Sequence, residues 1–246
     1  MERIDANGLA YRDLNRAIHD ASGDCDVVGC LGQRFIGAGL GEKRIDIHGV
    51  PGNALGAYLD GAEIRVFGNA QDAVGDTMNA GRIIIHGSVG DACGYAMRGG
   101  EIYVRGNAGY RAGVHMKAYG DRCPVMVVGG RTGSFLGEYQ AGGLIIVLGL
   151  ENGEGNTTRP RPIVSNFCCT GMHGGTVILR GTCEGVRFPE GVCVHEATDE
   201  DLAQAVPYVR NYGAFFGVNP EEILASPYTV VSPRQSNPYT SFYVGN

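Results

Sequence analysis

The sequence carries no run of lysine or arginine, no apolar stretch approaching 18 residues and no Cys-x-x-Cys pair. The first absence, together with a net charge of −6, argues against nucleic acid as a partner. The second excludes a membrane-spanning helix. The opening MERIDANGLAYRDLN does not read as a signal peptide, so a cytoplasmic location is expected. The third absence bears on metals. Eight cysteines, at 25, 30, 93, 123, 168, 169, 183 and 193, show none of the spacings of a zinc or iron–sulfur site. The adjacent pair Cys168–Cys169 is poor geometry for two ligands on one small ion. Reduced, structural thiols are expected. No Ser/His/Asp or paired-carboxylate constellation stands out either. Neither catalytic, cofactor-binding nor metal-binding residues are therefore assigned to this chain.

What the sequence has in abundance is glycine, 41 in 246 residues, more than twice the usual share of roughly 7%. There is no three-residue period, which excludes collagen. Instead Gly49, Gly68, Gly87 and Gly106 recur every 19 residues, and Gly56, Gly75, Gly94 and Gly113 follow each by seven. Before each first glycine lies a short alternating segment: RIDIH (44–48), EIRVF (63–67), RIIIH (82–86) and EIYVR (101–105). PVMVV (124–128), LIIVL (144–148) and TVILR (176–180) continue the series. A unit this short fits one coil of a solenoid, which buries its apolar face by stacking on its neighbours. Clusters such as GVPGNALG and GSVGDACG lie between strands and open no helix, so they read as corners and not as phosphate loops.

Period two sets the faces. Ile45 and Ile47, Ile64 and Val66, Ile83 and Ile85, and Ile102 and Val104 form two inward aliphatic columns. Val125 and Val127, Ile145 and Val147, and Val177 and Leu179 are expected to extend them. Outward, Arg44, Glu63, Arg82 and Glu101 alternate in sign from coil to coil. His48 and His86 share another outward column, two coils or roughly 10 Å apart, too far for one zinc ion. Cys30 and Cys169 fall where other coils have the first and the second glycine. The fold expected is all-β: a single-stranded right-handed parallel β-helix with terminal helical additions.

The repeat breaks at AYGDR (118–122) and again over GLENGEGNTTRPRPIVSNFCCTGMHGG, which carries Arg159 and Arg161. Pro124, Met126 and Val128, then Leu144, Ile146 and Leu148, read as apolar outward strips needing cover from the chain's own helices or from a partner. Met126, Val128, Ile146, Leu148, Arg159 and Arg161 are thus the candidate partner interface. The expected organisation is a cap of strand and helix over 1–23, a β-helix over 24–195 with an excursion at 150–170, and helices with an extended tail over 196–246. Leu14 and Ile18 stand at helical spacing in 11–21, Thr198 caps a single later helix that Pro207 is expected to kink, and Asn219-Pro220 starts another. These helices are expected to be lids on the open ends.

GNAQDAVGDTMNAGRIIIHGSVGDACGYAMRGGEIYVRGNAGYRAGVHMK, with GRTGSFLGEYQAGGLIIVLG and GMHGGTVILRG, resembles the C-terminal domain of the glutamate synthase large subunit, the GXGXG β-helix domain. The likeness runs from about residue 24 to 181. The ends, with YRDLN near the start, are similar to the stand-alone subunit of archaeal-type and N-methylglutamate synthase systems. The C subunit of formylmethanofuran dehydrogenase shares the domain and is the alternative, as is an independent groove-binding protein. The resemblance implies a non-catalytic component of an oxidoreductase complex. It would brace a glutaminase-like subunit and an FMN-dependent synthase subunit. FMN and the iron–sulfur cluster are expected on those partners. The glutaminase nucleophile of the family is an N-terminal cysteine on a different domain, whereas this chain starts Met1-Glu2-Arg3.

Overall fold

The computed structural model describes residues 1–150 and 162–234. Strands β1 (Glu2–Asp5), β2 (Cys25–Leu31), β3 (Arg44–Val50), β4 (Asp60–Val66), β5 (Ala80–Ile85), β6 (Glu101–Val104), β7 (Val125–Val128), β8 (Ala141–Val147) and β9 (Gly174–Arg180) lie side by side in chain order, every pair parallel. Two later strands, β10 (Val192–Glu196) and β11 (Tyr228–Pro233), close the sheet antiparallel, with β11 between β9 and β10. The helices are α1 (Tyr11–Asp20), α2 (Asp199–Ala203), α3 (Val206–Phe216) and α4 (Pro220–Leu224). The chain is a parallel β-solenoid with helical additions. Among the described residues no helix is long and apolar enough to cross a membrane.

Each coil turns five side chains inward. In the coil that begins at β4 they are Ile64 and Val66 from the strand, then Ala70, Val74 and Met78. One coil on, Ile83, Ile85, Val89, Cys93 and Met97 occupy the same columns, followed by Ile102, Val104, Ala108, Ala112 and Met116. All are buried and form one continuous cluster. The third column is tied by one-residue parallel bridges, Ala70 to Val89 to Ala108 to Thr132 to Val164. Burying β-branched side chains on a pleated surface, at about 25 cal/mol per Å² of apolar area, is the main favourable term here.

The two glycine series do different jobs. A Cβ on Gly68 would stand 2.5 Å from the Gly49 carbonyl oxygen, so the first series permits close approach of stacked backbones. Gly75 has φ +68°, and a Cβ there would collide with Ile102 Cδ1. It sits between Ala73 (φ +58°) and Thr77 (φ +53°), so three left-handed residues at alternate positions form an arc that carries the chain back to the next strand. Cys30 pairs with Gly49, and Cys169 takes the second-glycine place with φ +61°.

The register expected for β7 is corrected by one residue. Ile102 pairs with Met126 and Val104 with Val128, so Met126 and Val128 point inward while Val125 and Val127 face out. A one-residue slip exchanges the two faces of a strand. β7 is apolar at every position and ends in Gly129-Gly130, so neither alternation nor the glycine marks the register. Gly130 is the true counterpart of Gly106, to which its N–H donates at 2.8 Å.

The helices are also only partly lids. α1 does close the N-terminal end. Leu14 and Ile18 join the interior cluster, and Lys43 Nζ donates to the Ile18 and Ala21 carbonyls at 2.6 and 2.8 Å. At the other end Val192 of β10 and Val231 of β11 enter that cluster. α3 and α4 instead lie over the outer face of the sheet. Val209, Tyr212, Phe216 and Ile223 pack with Ile84, Tyr103, Val125, Val127, Ile146 and Ile178 in a second core. Sheet strands apolar on both faces require cover on both. Pro207 is the second residue of α3 and separates it from α2 without kinking a single helix. α2 begins with a capping box between Thr198 and Asp201, and the Asn219 side chain caps α4.

Candidate functional site

The structure separates the six expected interface residues. Met126 and Val128 lie inside the solenoid. Ile146 and Leu148 do face outward, but the second core buries them beneath the chain's own C-terminal segment. An exposed apolar strip at these four residues is therefore ruled out. Arg159 and Arg161 lie outside the described residues.

On the outer face of the earlier strands, Glu63 and Glu101 flank Arg82, which reaches them at 3.6 and 3.0 Å. Glu63 also binds Arg65 at 2.7 Å, and Tyr103 donates to Glu101 at 2.9 Å. Arg44 turns to Asp46 of its own strand, at 2.6 Å. The ladder ends under α3: the Arg82 guanidinium lies 5.4 Å from the Phe215 ring centre, and Asn211 donates to Tyr103 Oη at 3.2 Å. In the next outward column His48 and His86 sandwich Phe67, at ring separations of 4.7 and 4.9 Å. The two imidazoles are thus held apart by an aromatic ring, and His48 pairs with Asp26 at 3.1 Å.

That column continues past Arg105 into a cleft of about 680 Å³ between the sheet corner and the α3–α4 turn. His86, Arg105, Arg180, Tyr212, Asn219 and Glu222 line it. Tyr212 donates to the Arg105 carbonyl at 3.1 Å, and Arg180 to Ser226 Oγ at 2.9 Å. Burial, then the nearby Arg105 and Arg65 charges, hold the His86 pKa below the ordinary imidazole value. A neutral imidazole beside guanidinium groups suits anion binding, but the lining offers no nucleophile hydrogen-bonded to a base. The sequence signal for this cleft was the 19-residue spacing of His48, Phe67, His86 and Arg105.

His195, Thr198 and Asp201 gather like a triad but in the wrong order. His195 Nε2 lies 3.1 Å from Asp201 Oδ2, and Thr198 Oγ1 donates to the same oxygen at 2.7 Å. The carboxylate stands between hydroxyl and imidazole, so the imidazole cannot take the hydroxyl proton, and the group is a helix cap. The buried thiols are equally quiet. Cys25, Cys30, Cys93, Cys168 and Cys169 are buried. Desolvation raises Cys30 to about 11 and Cys93 to about 12. Cys168 and Cys169 lie with sulfurs 3.4 Å apart as hydrogen-bonded thiols, and that bond together with burial raises the Cys168 pKa well above its usual value. Thiols held protonated are poor nucleophiles and ligands. Among the described residues no three His, Cys, Asp or Glu side chains gather as a metal site.

A solenoid of glycine-marked coils is what the comparison with known families matches: the family model described as the GXGXG motif covers residues 15–226. The chain belongs to the GXGXG family. An uncharacterised protein of Methanocaldococcus jannaschii is 40% identical over 252 residues, covering 98% of this chain and 95% of that protein. The GXGXG match starts within α1 and ends just before β11. It therefore takes in the coils, the covering helices α3 and α4 and the cleft between them.

Proposed function

We propose that this GXGXG chain is a non-catalytic structural subunit of a glutamate-synthase-like complex, in which it braces a glutaminase-like subunit against an FMN-dependent synthase subunit. The observation that carries the reading is the GXGXG match across nearly all coils. The inward columns of the coils from β4 to β6 are filled by aliphatic and sulfur side chains, His48 and His86 stack on Phe67, and His195 joins a helix cap. A stack of coils tied by parallel ladders is stiff along its axis, which suits holding two modules at a fixed separation. The experiment is isolation of the tagged chain from its native host. Co-purification of a flavoprotein and a glutaminase-like chain, with glutamine-dependent glutamate formation that falls when this chain is removed, is the expected result. A tungsten or molybdenum protein in their place would favour the formylmethanofuran dehydrogenase alternative. Turnover by the isolated chain would overturn both.

A further inference from the structure

The left-handed arc recurs from coil to coil, and the large side chains at its first and last positions are exposed or half-buried. The first position holds Phe35 (φ +59°), which meets Tyr11 of α1, and then Ala54 (+62°), Ala73 (+58°) and Ala92 (+58°) in the next three coils. In later coils it holds Arg111 (+60°), Phe135 (+66°) and Phe167 (+62°). The last position holds Tyr58 (+57°), Thr77 (+53°) and Ala96 (+50°), then His115 (+55°) and Tyr139 (+53°). Left-handed backbone is uncommon for any residue with a Cβ and is an outlier for a bulky one. Ala54, Ala73, Ala92 and Ala96 show that alanine satisfies the fold here. The late coils carry large rings in strained backbone, and they expose them: Phe167 is 59% and Tyr139 46% accessible, with Tyr95 at 40% beside them. Strain at an observed outlier is a pointer to function when the fold itself does not need it.

The rings are ordered into two rows. Phe135 and Phe167 stack at 4.9 Å, with the Arg111 guanidinium 5.1 Å from the Phe135 ring centre. His115 and Tyr139 stack at 5.2 Å, and Tyr95 meets His115 edge-on. Exposed Arg98 and Lys117 follow the arcs of their coils. The carboxylates near them are occupied: Glu138 is buried under Arg111 at 3.8 Å, and Asp91 Oδ1 accepts the Tyr110 N–H at 2.8 Å. On a chain of net charge −6 this face is aromatic and cationic. Aromatic residues and arginine are the side chains enriched in interface hot spots.

We propose that the arc face of the late coils, around Phe135, Tyr139 and Phe167, is the docking surface for a partner subunit whose contacting surface is rimmed by carboxylates. This rests on the reading of the chain as a structural subunit and says which side of the solenoid is used. A second copy of this chain is a poorer occupant, because two cationic faces would meet.

The triple variant Phe135→Gly, Tyr139→Gly and Phe167→Gly tests it. Glycine adopts the arc conformation freely, so the isolated variant should melt within a few degrees of wild type. Its affinity for the flavin-containing chain co-purified with wild type should fall about 100-fold, the scale of lost hot-spot rings. A second variant, Arg111→Glu with Lys117→Glu, should fold normally, lower the association rate and remove its salt dependence. A triple variant that melts far below wild type would mean the rings are staples of the coil, and the proposal would fall. Wild-type assembly by either variant would overturn it as well. If wild type itself recovers no synthase chain, the structural-subunit reading fails first and takes this one with it. If wild type assembles and the variants do too, only the choice of face is wrong.

Discussion

Ile85→Asp and Arg82→Ala, three residues apart on β5, should differ greatly in cost. Ile85 is fully buried in the interior, stacked between Val66 and Val104 of the neighbouring coils. Removing its side chain from that packing costs about 1.5–3 kcal/mol of apolar burial. The new carboxyl finds aliphatic neighbours and no donor. It must either ionise unpaired or rise in pKa by about 3–5 units, at about 1.4 kcal/mol each. The sum is roughly 6 kcal/mol or more, which meets or exceeds the stability of many domains. Arg82 is a different case. Its head is about one-third exposed, and its partners keep other contacts when it is gone: Glu63 retains Arg65, and Glu101 retains Tyr103. With solvent screening its loss should cost about 1 kcal/mol. Thermal melts followed by circular dichroism separate the two. At about 2–4 °C per kcal/mol, Arg82→Ala should lower Tm by a few degrees, and Ile85→Asp by 12 °C or so at least, if it folds. Equal shifts would refute the inward assignment of Ile85.

Met126→Lys combined with Ile146→Lys should prevent folding, since one residue is inside the solenoid and the other lies under the C-terminal segment; a soluble, native-like variant would contradict both placements. Thr198→Ala removes the hydroxyl that accepts the Asp201 N–H and should cost about 0.5–2 kcal/mol by denaturant titration. His86 has a folded-state pKa below the unfolded value near 6.5, so as pH falls through that range the unfolded chain binds the proton first and stability drops. His86→Phe, which keeps a ring between Phe67 and Phe216 beside Arg105, Arg65 and Asp46, should flatten the decline in Tm between about pH 7 and 5; an unchanged slope would count against it. In a thiol-reagent assay Cys123 and Cys193 should react in the native state, while Cys25, Cys30, Cys93, Cys168 and Cys169 should wait for denaturant; fast labelling of Cys93 would mean that the coil opens.

The coils from β3 to β6 were legible in the sequence because each strand alternates and each is followed by a glycine at a fixed distance. Ile45, Ile64, Ile83 and Ile102 stand where the alternation puts them. The same rule failed at β7, where Val125-Met126-Val127-Val128 does not alternate and two glycines follow. Periodicity can place a strand there but not say which face is in. β10 and β11 were missed altogether, because a single antiparallel pair has no repeat to announce it, and β11 lies within what read as tail. The need to cover Leu144 and Ile146 was legible, but its supplier was not, since an apolar helix face is equally consistent with a lid and with a strap. The candidate site suffered for the same reason. Four of its six residues qualify only as apolar and, by alternation, outward, and the helices that cover the sheet are far from it in sequence.

That cover changes what the solenoid can offer a partner. Over the late strands the sheet face is closed by Val209, Tyr212 and Phe216, and over the middle strands its ladder is neutralised internally, with Phe215 laid across Arg82. A partner approaching there would meet a finished protein surface. The arc face differs in kind. Its backbone is dictated by the turn of each coil, and Ala54, Ala73 and Ala92 fill its first position in three consecutive coils. Rings and guanidinium groups placed at such positions stabilise the coil little, because an exposed stack buries little area and the left-handed backbone offsets part of it. Their gain has to come from contacts outside the chain. A fold that repeats itself therefore provides its own control: Ala73, Ala92 and Ala96 show what the architecture requires, and the stacked rows at Arg111, His115, Phe135, Tyr139 and Phe167 are what the later coils add.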